Sequence, residues 1–202
     1  KKELQKYCKT ARPSYSVKTM SRPKRRPITI KGVELSEHPG KKKNPSYRIA
    51  FAIDTSASVS NKELQEIFVE LKSILSSNSG TEITVIECDT RIGRIYDLSK
   101  VKDIDTKVVG RGGTDFEPVF NWLKGNQEWE GVKCKFKPDL LIYATDGECP
   151  LPNQDIRIPN NKMLWLISSR GSVPSETSHW GTATTKVSGF GDYGRFVKIT
   201  PN

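Results

Sequence analysis

Residues 47–60, YRIAFAIDTSASVS, decide the architecture. The first seven, 47–53, form a short β-friendly apolar run, with Asn-Pro-Ser before it and Asp-Thr-Ser after it, and read as a buried strand. Asp54, Ser56 and Ser58 follow in the spacing D-x-S-x-S, and Ser60 opens an S-x-x-E capping box with Glu63. Leu64, Ile67, Phe68, Leu71, Ile74 and Leu75 then recur as one apolar helical stripe, which Ser79-Gly80 stops. Buried strand, polar turn and amphipathic helix, in that order, begin a βαβ unit.

Working outward, residues 81–88 (TEITVIEC) read as the next strand, apolar enough for an interior parallel position. Residues 91–98 and 106–109 read as two further short strands. Residues 110–115 (GRGGTD) form a glycine-rich loop, and 116–123 a helix with Pro118 in its first turn. Residues 125–137 are a polar connection. Residues 139–145 (DLLIYAT) and 162–168 (KMLWLIS) read as buried strands, with Trp165 the best core candidate among the tryptophans. Residues 169–194 read as a long irregular loop, and 195–200 as a last strand. Strands alternating with helices predict an α/β fold: a doubly wound, mainly parallel sheet with helices on both faces, Rossmann-like in plan. It occupies residues 47–202, with a basic arm at 1–46.

In such sheets ligands bind beyond the carboxyl ends of the strands, where the strand order reverses. Three segments bring polar groups there: Asp54-Thr55-Ser56-Ala57-Ser58, then Gly112-Gly113-Thr114-Asp115, then Thr145-Asp146-Gly147-Glu148. Residues two apart in an extended tail point the same way, so Asp54, Ser56 and Ser58 can converge on one point. Carboxylates and hydroxyls without His or Cys make a hard-oxygen set, suited to Mg²⁺ or Mn²⁺ and poorly suited to zinc. Neutral hydroxyls leave such an ion under-neutralised, able to attract the carboxylate of a partner's Asp or Glu. Taken alone, D-x-S-x-S also describes a plain helix entry capped by Ser58 or Ser60, and GRGGTD a plain turn with Asp115 capping the next helix.

Together these segments resemble the von Willebrand factor A (vWA) domain with its metal-ion-dependent adhesion site. The family's DxSxS, Thr and T-D-G Asp fall on Asp54, Ser56 and Ser58, then Thr114, then Asp146. The resemblance implies metal carboxylates at Asp54 and Asp146 and direct coordination by Ser56 and Ser58. It implies a direct or water-mediated role for Thr114 and Asp146. GGTDFEPVF (112–120), TDGECPLP (145–152) and MLWLI (163–167) are also similar to the C-terminal A-like domain of a family of predicted metallopeptidases, and SRPKRRP (21–27) resembles the lead-in to that domain. That family carries HExxH in an upstream domain. This chain has only His38 and His179 and no HExxH, so the expectation is a non-catalytic module or the non-catalytic part of a larger metallopeptidase. By the same resemblance, a AAA+ ATPase of the MoxR type is the expected partner.

The chain has 202 residues, 35% apolar and 28% charged, with no apolar run long enough to span a bilayer and no signal-peptide h-region. It opens on Lys1, and the natural N-terminus is expected upstream. Its net charge of +10 is uneven: residues 1–48 hold 15 Lys and Arg against 3 acids, or +12, leaving the rest at −2. Prolines and a lysine run make the arm irregular in expectation, with residues 27–33 (PITIKGV) as one short strand, and its charge raises nucleic-acid binding as an alternative function. The four cysteines lack any CxxC and predict reduced thiols in a cytoplasmic protein. Enzymatic alternatives lack their parts. A haloacid-dehalogenase phosphatase needs DxDx[TV], but Ser56 holds the second carboxylate's place, and a serine hydrolase needs GxSxG with a His partner.

Overall fold

A computed structural model of the protein describes residues 16–24, 26–35, 38–43, 47–77, 81–98, 110–149, 151–156, 158–159, 162–172 and 194–200. We number its elements β1 (Ser16–Lys24), β2 (Ile28–Ile30), β3 (Val33–Leu35), β4 (His38–Lys43), β5 (Tyr47–Asp54), α1 (Asn61–Ser77), β6 (Thr81–Cys88) and β7 (Ile92–Leu98). There follow α2 (Glu117–Lys124), β8 (Leu140–Thr145), β9 (Met163–Ile167) and β10 (Arg195–Lys198).

The main sheet has six strands in the order β10-β9-β8-β5-β6-β7. All its pairings are parallel except β6 with β7. From β5 the chain moves through α1 to β6 on one side, and α2 precedes β8 on the other, so the order reverses between β5 and β8. Asp54 ends β5 and Thr145 ends β8, which places both beside the crevice where such sheets bind ligands.

Side-chain alternation builds two cores. Ile49, Phe51 and Ile53 of β5, Leu140 and Ile142 of β8, and Leu164 and Leu166 of β9 face α1, burying its Leu64, Ile67, Phe68, Leu71 and Ile74 stripe. Ala50 and Ala52 of β5 face the other way, with Tyr143 and Trp165, against Phe116, Val119, Phe120, Trp122 and Leu123 at α2. Small residues on β5 leave room there for aromatics. Phe116 lies 4.9 Å from the Tyr143 ring and 5.1 Å from that of Trp165, and Tyr143 and Trp165 stack at 5.3 Å. Helices therefore cover both faces, as the alternating pattern requires.

The predicted capping box forms. Glu63 N–H donates to Ser60 Oγ at 3.3 Å, and Ser60 N–H donates back to Glu63 Oε2 at 3.0 Å. The polar connection before β8 is better packed than its composition suggests: Trp129, Cys134 and Phe136 lie against the α2-side core, and Trp129 and Val132 form a β-bridge.

The arm corrects an expectation. Its described part is regular: β1 pairs antiparallel with β4, and β2 with β3. Lys31 and Gly32 both have positive φ, the signature of a two-residue hairpin turn, between two alternating triplets, ITI and VEL. The expected strands at 106–109 and the irregular segment beyond Ser172, with His179 and Trp180, fall outside the described residues.

Candidate functional site

Asp54 is fully buried at the end of β5. Its Oδ1 accepts the N–H of Ser56 at 3.0 Å, and its Oδ2 accepts the hydroxyl of Thr145 at 2.6 Å. Ser56 Oγ lies 3.0 Å from Ser58 Oγ, so the alternate residues of D-x-S-x-S turn toward one another as the spacing predicts. Thr145 Oγ1 also accepts Gly147 N–H at 2.9 Å, and Gly147 has φ +81, which explains glycine after Asp146. Asp146 is 4% exposed. Its Oδ1 accepts Glu148 N–H at 3.1 Å, while its Oδ2 is buried and has no hydrogen-bond partner among the described residues.

Hydrogen bonds tie the three predicted loops pairwise. Thr145 to Asp54 joins the first and third. Ala57 N–H donates to the Gly112 carbonyl at 3.0 Å, joining the first and second. The Cys149 thiol donates to the Thr114 carbonyl at 3.3 Å, joining the second and third. The expected cap by Asp115 shifts by one residue: Phe116 is the N-cap of α2 and makes no side-chain cap bond, while Asp115 just before it accepts Glu117 N–H on Oδ1 at 2.9 Å. Glu148 is solvent-exposed. Among the described residues the Thr114 hydroxyl makes no hydrogen bond.

Electrostatics sharpen the picture. Burial pushes the Asp54 carboxyl up, hydrogen bonds from Thr145 and Ser56 oppose it, and the neighbouring charge of Asp146 adds to the rise. Burial also pushes the Cys149 thiol up to about 12 and the Cys88 thiol well above its usual range, so neither is a poised nucleophile. Among the described residues no three His, Cys, Asp or Glu side chains are grouped to hold a metal. A cation here would depend on the hydroxyls as well as on Asp54 and Asp146.

Sequence reasoning missed the scaffold around these groups. Asp89 follows β6, and its Oδ2 accepts Gly112 N–H at 3.2 Å while its carbonyl accepts Asp115 N–H at 2.9 Å. The strand-end rule that found Asp54 applies to it equally. A Cβ on Gly110 would meet Thr55 Oγ1 at 2.4 Å, and one on Gly112 would meet Asp89 Oδ2 at 2.9 Å, so close packing accounts for two of the glycines in GRGGTD. Arg111 between them has φ +111, a strained value for a residue with Cβ. Its guanidinium donates to the Val59 carbonyl at 2.9 Å and to Asn61 Oδ1, fastening the second loop to the first.

Glu63 reaches further than its cap. Its Oε1 accepts the Ser168 hydroxyl at 2.7 Å, and Ser168 Oγ accepts Gly171 N–H at 3.0 Å in the loop lying against Asp146. Burial raises the Glu63 carboxyl, but hydrogen bonds from Ser168 and Ser60 and the charge of Arg170 outweigh it, and the net shift is downward. A lowered folded-state value stabilises the fold above the ordinary glutamate range and loses that contribution as pH falls through the lowered value. We therefore expect Glu63→Gln to cost about 1 kcal/mol near neutral pH. The gap from wild type should shrink as pH falls below the ordinary glutamate range. Urea denaturation across pH checks this, and a gap that does not change with pH would contradict it.

The fold and this strand-end site define an α/β domain of the vWA type. Residues 49–185 match the family model described as VWA-like domain (DUF2201), and the chain belongs to that family. It is 28% identical over 121 residues to a Thermotoga maritima protein described as uncharacterized, which covers 60% of this chain and 27% of that protein. The chain thus spans about a quarter of the length of that curated relative. Among solved structures it is similar to an aerotolerance-related membrane protein from Bacteroides fragilis (12% identity, TM-score 0.46, 76% of this chain and 92% of that one). It is also similar to the conserved hypothetical protein BatB from Bacteroides thetaiotaomicron (14%, 0.49, 77% and 91%). Among the described residues no helix is long and apolar enough to cross a membrane.

Proposed function

We propose that this domain is a metal-dependent protein-binding module. Asp54, Ser56, Ser58, Thr114 and Asp146 would hold Mg²⁺, or Mn²⁺ in its place, and the ion would capture an Asp or Glu carboxylate of a partner protein. The observation that carries the reading is Asp146 Oδ2, a buried acceptor with no hydrogen-bond partner among the described residues, in a site that holds a second buried carboxylate. Leaving such a group unpaired costs about 1–3 kcal/mol or more, and a cation would remove both that penalty and the repulsion from Asp54. The donor set is hard oxygen throughout, which fits Mg²⁺ and Mn²⁺.

When bound, the ion supplies a Lewis-acidic anchor for an incoming carboxylate. The chain's own residues orient it: Thr145 and the Ser56 N–H fix the Asp54 carboxylate, and Glu148 N–H fixes that of Asp146. Nothing in the reading calls for a catalytic step. The partner suggested by the family resemblance is a AAA+ ATPase of the MoxR type. The described cysteines, Cys88, Cys134 and Cys149, are free thiols, which supports a reducing, cytoplasmic location. The family resemblance suggests a second reading, in which the module is the non-catalytic part of a larger predicted metallopeptidase; the Thermotoga maritima relative, of which the match covers 27%, is long enough to hold a further domain.

Mn²⁺ tests the site directly, because its spin resonance signal changes on binding. We expect saturable binding of about one ion per chain, competed by Mg²⁺ and lost in Asp54→Ala. Non-saturable binding, or equal binding by Asp54→Ala, would overturn the proposal.

A further inference from the structure

Residues 16–43 form a second feature that the metal site does not use. β1 and β4 pair from Ser16↔Lys43 to Lys24↔His38, with an irregularity after Thr19, and β2 and β3 pair from Ile28↔Leu35 to Ile30↔Val33. The two pairings are separate two-stranded sheets that nest in sequence around one turn, Lys31-Gly32, a ribbon of two short pairs. The longer pair follows the six residues of β4, about 20 Å at the ~3.3 Å rise of a strand. None of the ribbon's described side chains enters either core cluster.

The ribbon is basic along its length. Residues 16–43 hold 9 Lys and Arg against Glu34 and Glu37, or 9 − 2 = +7. Lys18, Lys24, Arg26 and Lys31 are exposed and form no ion pair among the described residues. Lys18 stands directly opposite Lys41 in the backbone register, so the pairing places two basic positions side by side. Toward the tip the surface turns apolar: Ile28, Ile30 and Val33 are 36%, 51% and 61% exposed, and Met20 in β1 is 56% exposed.

We propose that this ribbon is an arm that binds duplex DNA, with its basic residues on the phosphates and its apolar tip against the bases. A two-stranded ribbon is one of the two elements that the ~12 Å major groove of B-form DNA admits. Phosphate neutralisation explains the surplus of charge, which exceeds what is needed to keep an edge strand from pairing with other chains. Exposed Ile and Val at the tip suit contact with thymine methyls or a wedge between base steps. An acidic protein surface could also attract the charge, but it gives no role to a groove-sized ribbon with an apolar tip.

The full chain is titrated against a fluorescent B-form duplex, an A-form RNA duplex and a single strand, with and without EDTA, from about 50 to 200 mM salt. We expect micromolar binding to the DNA duplex, weaker binding to RNA duplex, and an affinity that falls steeply with salt. EDTA should leave it unchanged, which separates this arm from the metal site. The triple variant Lys24→Glu, Arg26→Glu, Lys31→Glu should weaken binding at least tenfold and flatten the log–log salt slope by about 0.9 per lost contact. Ile30→Ser with Val33→Ser should weaken binding severalfold without changing the slope. These positions are exposed and outside both cores, so the melting temperature of the body should be unaffected. No DNA binding at 50 mM salt, a triple variant that binds like wild type, or equal affinity for all three nucleic acids would overturn the proposal.

Discussion

Phe116→Ala should destabilise the protein by about 3–5 kcal/mol and, in whatever remains folded, weaken Mn²⁺ binding at least tenfold. Phe116 is 1% exposed and wedges between Tyr143 of β8 and Trp165 of β9. The stack continues from Trp165 to Phe196 of β10 at 6.1 Å, so one ring at the entry to α2 helps hold three successive strands. Two residues before it stands Thr114, and between them Asp115 is tied through its N–H to Asp89 and through its carboxylate to α2. Removing the ring should leave a cavity beneath this peptide and free the second loop to drift from the other two. Phe120→Ala separates packing from site geometry. Phe120 is equally buried and stacks on Tyr143 at 6.1 Å, but it lies one turn farther along α2. It should lose comparable stability in urea denaturation and keep its Mn²⁺ affinity. Equal loss of metal binding in both variants, or a stability loss below about 1 kcal/mol for Phe116→Ala, would contradict the account.

The sheet was legible because its signals are local. The apolar runs at β5, β6, β8 and β9 coincide with the strands to within a residue, and the Ser60–Glu63 box and apolar stripe locate α1. The three site loops were legible for a topological reason: polar residues at the ends of buried strands must converge where strand order reverses. The ribbon was legible in principle from ITI-Lys-Gly-VEL, an alternating pair about a two-residue turn. Its lysines and prolines obscured that pattern, and the pairing of β1 with β4 spans up to 27 positions, from Ser16 to Lys43. What no local pattern carries is close approach between distant segments. Asp89 and Gly112 are 23 positions apart, and Ser168 and Glu63 are 105 apart. Their residue types are ordinary, and only tertiary packing gives them a role.

Gly171 is the strongest case of that kind. A Cβ at this position would lie 2.4 Å from the Asp146 carbonyl oxygen, 2.7 Å from its Cα and 2.8 Å from its carbonyl carbon. All three are backbone atoms, which cannot rotate aside as a side chain can. The loop cannot easily retreat either: Ser172 N–H donates to the Asp146 carbonyl at 2.7 Å, and Gly171 N–H is held by Ser168, which is itself held by Glu63. Gly171→Ala should therefore cost about 1–3 kcal/mol through overpacking. The larger effect should fall on metal binding. Displacing the Asp146 backbone moves the carboxylate whose unpartnered oxygen carries the metal reading, and in enzyme sites a misplacement near 1 Å can cost about a hundredfold in rate. We expect Mn²⁺ affinity to fall at least tenfold while the circular dichroism of the sheet persists. Gly125→Ala is the matched control. Gly125 has φ +77 at the end of α2 with nothing within 4 Å of its Cβ direction, so it should lose about 1 kcal/mol to backbone strain and keep full Mn²⁺ affinity. A Gly171→Ala protein that binds Mn²⁺ like wild type would remove Asp146 from the ligand set and with it the observation on which the metal site rests.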